Sequence, residues 1–176
     1  LSQIRHLDLS GLKIPLEDFQ QLITSPNLSN LQSLDLDFLQ LRFNSQLGTI
    51  IGSCPSMPGI SNLALRCAQL DSQFFTALAQ SDLSNVDTLT VGGEGGRGKL
   101  GQVGLLQTSD LKSLKVRGRI GVADAEGLLG LPIQNLKELD LAGTGIPAKG
   151  LDGFGAEGAL SSVERLDLSG CNLGLR

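Results

Sequence analysis

Trp and Tyr are absent, and the aromatic content is six Phe in 176 residues. A tight interface usually rests on Trp and Tyr, so any binding surface here must work with other side chains. The chain has one His and three Cys, at positions 54, 67 and 171, without the close spacing that metal ligands need. Neither a cofactor nor a metal is therefore expected. Three unpaired thiols fit a reducing compartment, and this points to an intracellular, cytoplasmic protein. No apolar run approaches the roughly 20 residues that span a bilayer, which argues against a membrane partner. An excess of positive charge is missing too: the formal net charge is −4, and nucleic acid needs a cationic footprint to release counterions. The opening Leu1-Ser2-Gln3-Ile4-Arg5 has neither an initiator Met nor the apolar core of a signal peptide, and the chain stops abruptly at Arg176. Both features suggest a piece of a longer protein.

Leu dominates what is present. The pattern apolar-x-x-Leu-x-apolar recurs seven times, starting at Ile4, Leu31, Ile60, Val86, Leu111, Leu136 and Val163. Successive starts lie 27, 29, 26, 25, 25 and 27 residues apart. Such phasing marks a repeat architecture. Alternation at each Leu-x-Leu core predicts a short strand with one buried face. Stacked strands would then form one parallel sheet. Equivalent core positions are Leu7, Leu34, Leu63, Leu89, Leu114, Leu139 and Leu166, all expected to be buried. Helix-like segments between strands carry the closing apolar groups: Phe19, Leu22 and Ile23; Leu47, Ile50 and Ile51; Phe74, Phe75 and Leu78; Val103 and Leu106; Leu128 and Leu129; Leu151 and Phe154. Two stretches, 92–104 and 118–130, are rich in Gly, which predicts loops or single turns there.

The blocks Leu31-Gln32-Ser33-Leu34-Asp35-Leu36 and Val163-Glu164-Arg165-Leu166-Asp167-Leu168-Ser169-Gly170-Cys171-Asn172-Leu173 resemble the ribonuclease-inhibitor-like type of leucine-rich repeat. The segment from Ser25 to Leu36 is also similar to repeats of uncharacterised bacterial leucine-rich-repeat proteins. The resemblance covers residues 1–176 as a single domain. It implies an α/β, right-handed solenoid, with about seven parallel strands on a concave face and short helices or turns on a convex one. One departure stands out. The family has Asn or Cys three residues after the second strand apolar; here that position holds Leu12, Leu39, Ala68, Glu94, Arg119, Thr144 and Cys171, and only the last conforms.

Chemical motifs are sparse. Gly93-Glu94-Gly95-Gly96-Arg97-Gly98-Lys99 approximates a phosphate-binding loop, but Leu100 replaces the hydroxyl ligand for magnesium. The repeat alone explains a turn at that place, so no nucleotide is expected. His6 sits two residues before Asp8, with Ser33 at the equivalent place on the next strand, yet no Gly-x-Ser-x-Gly elbow marks a nucleophile. A solvated strand histidine accounts for it, and the chain does not read as an enzyme.

Function must then reside on the outward strand positions. These are His6/Asp8/Ser10, Ser33/Asp35/Asp37, Asn62/Ala64/Arg66, Thr88/Thr90/Gly92, Ser113/Lys115/Arg117, Glu138/Asp140/Ala142 and Arg165/Asp167/Ser169. Acids gather on the first two strands, bases on the third and fifth, and acid returns on the sixth. The expected role is a protein-interaction module that binds a protein or peptide through segregated charge. Asp8, Asp35, Asp37 and Asp140 would supply the acids, Arg66, Lys115 and Arg117 a separate basic zone, and Phe38 an apolar anchor. The plain alternative is that Leu-Asp-Leu is common repeat composition and the charges only solvate the sheet. Two other roles fit the same residues: the substrate-recognition part of a larger enzyme such as a ubiquitin ligase, and a self-assembling scaffold. Repeats one and seven lack polar caps, so Leu1, Ile4, Leu173 and Leu175 should lie at apolar ends open to end-to-end self-association.

Overall fold

The computed structural model describes residues 3–37, 46–66, 70–93, 100–156 and 160–174. Each Leu-x-Leu core forms a strand: β1 (His6–Asp8), β2 (Ser33–Asp35), β3 (Asn62–Leu65), β4 (Thr88–Gly92), β5 (Ser113–Arg117), β6 (Glu138–Asp140) and β7 (Arg165–Asp167). The seven strands pair in chain order, all parallel, in a single sheet. Register follows the repeat, so that Leu7, Leu34, Leu63, Leu89, Leu114, Leu139 and Leu166 form one row. One backbone device recurs at all six junctions. The carbonyl two residues before the row Leu (Arg5, Gln32, Ser61, Asp87, Lys112, Lys137) accepts two successive N–H groups from the next repeat.

Between the strands lie α1 (Leu16–Ile23), α2 (Leu47–Gly52), α3 (Ser72–Leu78), a 3-10 segment (Leu100–Leu105), α4 (Val122–Leu129) and α5 (Ala148–Leu151). They too contact one another in chain order. Strand and helix side chains share one hydrophobic cluster. Leu34, Leu63, Leu89, Leu114 and Leu139 meet Phe19, Ile23, Ile51, Phe75, Leu78, Val103 and Leu128 in it. This is an α/β arrangement of one parallel sheet and a layer of short helices, compatible with a repeat solenoid.

Two expectations need correction. Leu7 is half-buried and Leu166 is 48% exposed, so the row is buried only where a repeat packs on both sides. The second concerns the glycine-rich stretches. The 3-10 segment fits the first, but 118–130 contains the eight-residue helix α4. Glycine there serves close packing. A Cβ on Gly127 would lie 2.3 Å from the Leu100 carbonyl oxygen, and one on Gly104 2.7 Å from the Gly130 Cα. Burial of Ala125 and Leu128 outweighs the propensity cost of Gly, about 1 kcal/mol. Asp124 ties the pair of segments together, its carboxylate accepting from Gly121 N at 2.9 Å and from Leu100 N at 2.8 Å.

Candidate functional site: the polar face of the sheet

Because strand side chains alternate, the residues flanking each row Leu project from the other face of the sheet. The register lines them up in rows: Asp8, Asp35, Ala64, Thr90, Lys115, Asp140 and Asp167 in one, and His6, Ser33, Asn62, Thr88, Ser113, Glu138 and Arg165 in another. Neighbours within a row stand about 4.8 Å apart, the parallel-strand spacing.

Four of the five acids in these rows have a local task. Asp8, Asp35, Asp140 and Asp167 each accept, through Oδ1, the backbone N–H two residues on, from Ser10, Asp37, Ala142 and Ser169 at 2.8–3.0 Å. This Asx turn takes the chain out of the strand direction. The four strands that carry it, β1, β2, β6 and β7, are three residues long. Where Ala64, Thr90 or Lys115 stands instead, the strand runs to four or five residues. The recurring Asp is thus a strand terminator as well as a surface charge.

The expected segregation of charge does not hold. Asp37 is buried, 5% exposed, and its carboxylate accepts from Arg66 N at 3.0 Å and from Arg66 Nε at 2.5 Å. The Asx turn at Asp35 ends the period-two alternation, so Asp37 turns inward. Arg117 makes a two-pronged contact with Asp140, at 2.8 and 2.5 Å. Lys115 Nζ lies 3.8 Å from Glu138 Oε2. Arg66, Lys115 and Arg117 therefore form no separate basic zone; each is matched by an acid of a neighbouring repeat. Phe38 lies outside the described residues, as do Lys99 and most of the Gly93–Lys99 loop.

The ionisation of these groups follows their surroundings. Hydrogen bonding from Arg117 holds the Asp140 carboxyl below the usual range, and the same bond raises Arg117. Asp8 and Asp167 are lowered by bonds from Ser10 and Ser169. Asp35 goes the other way. Its partial burial raises it, and the nearby charges of Asp37 and Asp8 add to this. Asp8 and Asp35, side by side on β1 and β2, leave one end of the face acidic.

Glu138 was not among the expected site residues, yet it is the centre of the β5–β7 cluster. It accepts from Ser113 Oγ at 2.8 Å and stands 3.4 Å from Arg165 Nη1. The triplet pattern contained it, but only the structure shows it between Ser113 and Arg165 in the register, with Lys115 reaching it diagonally. Thr144 was missed as well. It occupies the nonconforming turn position, fully buried, and its Oγ1 donates to the Leu141 carbonyl at 2.7 Å. Cys171 Sγ donates to the same carbonyl at 3.3 Å. The hydroxyl thus bonds within its own repeat, and the thiol ties repeat seven to the same carbonyl of repeat six. Burial pushes the Cys54 thiol up, away from the reactive thiolate form.

Among the described residues no group of three or more His, Cys, Asp or Glu is placed to hold a metal ion, and no helix is long and apolar enough to cross a membrane. Comparison with protein-family models, curated proteins and solved structures gave no match.

Proposed function

We propose that this chain is a ribonuclease-inhibitor-like leucine-rich-repeat solenoid whose polar sheet face binds a protein or peptide. The observation that carries the reading is the seven-strand register, which presents outward side chains in rows at fixed spacing. A surface held by a continuous core loses little ordering entropy on docking. The acidic end at Asp8 and Asp35 favours a cationic segment as the part of the partner that meets it. The paired groups Arg117–Asp140 and Arg66–Asp37 supply fixed shape and hydrogen-bonding edges rather than free charge. Charge attraction at the acidic end sets on-rate and specificity more than affinity.

A lysine-rich peptide titrated into the chain by calorimetry tests this. Asp8→Asn with Asp35→Asn keeps the Oδ1 acceptors for the turns and removes both charges. The double variant is expected to weaken binding while its melting temperature does not fall, and added salt is expected to weaken binding to the unmodified chain. Equal affinity in the double variant moves the binding site off this face.

A further inference from the structure

We propose that the turn leading into β5 is an internal water-binding site, closed by a water molecule held between Thr108 and Leu111. The corresponding turns of five other repeats close on themselves. Leu28, Met57, Leu83, Ile133 and Leu160 stand three residues before the first apolar residue of their repeats, and each is buried in the core or packed against it. Their carbonyls accept the N–H of Leu31, Ile60, Val86, Leu136 and Val163 at 3.0–3.3 Å, which steers the chain into the next strand.

Repeat five departs from this in side chain and backbone at once. Thr108 takes the apolar position, only 5% exposed, and its Oγ1 has no hydrogen-bond partner. Leu111 is fully buried, yet among the described residues its N–H bonds neither to the Thr108 carbonyl nor to another acceptor. The backbone before this point is ordinary. Thr108 N bonds to the Leu106 carbonyl at 3.0 Å, as Ile133 N does to the Leu131 carbonyl at 2.8 Å in repeat six. The two linkers part only afterwards, where Ile133 continues into a 3-10 turn and Thr108 does not.

Buried polar groups left open are costly, and protein interiors meet that cost with ordered water. A Thr side chain is one heavy atom smaller than Leu, Ile or Met, which leaves room close to the size of one water molecule. A water in the open turn accepts from Leu111 N–H and has hydrogens for the Thr108 carbonyl and Oγ1. That gives it about three partners, the usual number for an internal water. An aliphatic residue at position 108 would fill the same room and offer no hydrogen bond.

Val matches Thr in shape and lacks the hydroxyl, so Thr108→Val separates a water-bridged hydroxyl from an orphaned one by the sign of its effect. With the water in place the variant loses a hydrogen bond, and its melting temperature should fall by about 2–4 °C. Replacing an orphaned hydroxyl with a methyl would instead raise it. Oxygen-17 relaxation dispersion of the solvent counts long-lived internal waters without interference from exchanging hydroxyl protons. Thr108→Val should hold one fewer than the unmodified chain. A melting temperature that rises in Thr108→Val, or a count of long-lived waters that the substitution leaves unchanged, would overturn the proposal.

Discussion

Asp35 and Asp37 stand two residues apart and do opposite things. Asp37 is buried against Arg66, whose guanidinium and backbone N–H both need its carboxylate. Asp37→Ala should therefore destabilise the fold by about 1–3 kcal/mol in urea titrations, the scale of hydrogen bonds to a charged group. Asp35 is raised by burial and neighbouring carboxylates, so its ionised form opposes folding. That opposition is absent below the ordinary carboxylate range and appears as pH rises through the folded value. Asp35→Asn keeps the turn acceptor, so it should raise the melting temperature at neutral pH and leave it unchanged in acid. Asp140 has the reverse sign: its lowered value makes the Arg117 contact stabilising above the usual carboxylate range and lost as pH falls through its folded value. A melting temperature for Asp35→Asn below that of the unmodified chain at pH 7 would show that its charge is compensated. Both acids belong to one sequence pattern, Leu-Asp-Leu-Asp, and the pattern does not separate them. Period two holds only while the strand lasts, and the strand lasts only until the first Asp captures the N–H of the second.

At the scale of elements, the strands were legible because their core positions repeat with little drift, and each central Leu fell in the expected row. The layer between them was less so. Gly in α4 argues against a helix if each residue is weighed alone, but it becomes intelligible beside the Leu100–Leu105 segment, whose backbone leaves no room for a Cβ. Gly127→Ala should cost about 1–3 kcal/mol through overpacking. Gly121→Ala is the matched control: its added Cβ meets only Asp124 Oδ2 at 3.8 Å, so stability should hold within about 0.5 kcal/mol. Equal effects from the two variants would show that the close approach of Gly127 to the Leu100 carbonyl is not the cause. Cross-strand ion pairs such as Arg117–Asp140 were not legible because strand length sets how far each row extends. β5 reaches Arg117 where its neighbour β6 already turns at Asp140.

For the whole molecule, a one-dimensional stack predicts that the cost of a core deletion depends on how many neighbours a repeat has. Leu114→Ala, in the middle of the sheet, should cost about 2–5 kcal/mol. Leu166→Ala, on the edge and half exposed, should cost well under that. Urea titration of the two variants compares them directly. All of this depends on the register, seven repeats adding one parallel strand each in chain order. Dipolar electron-spin measurements with one label fixed at His6 and a second moved in turn to Ser113, Glu138 and Arg165 test it most directly, since these positions share one row. The expected separation starts near 19 Å at Ser113 and grows by about 4.8 Å per strand before label flexibility and sheet curvature. Distances that rise with repeat number in that order are the predicted result. A separation that shrinks or jumps between successive positions would contradict the account.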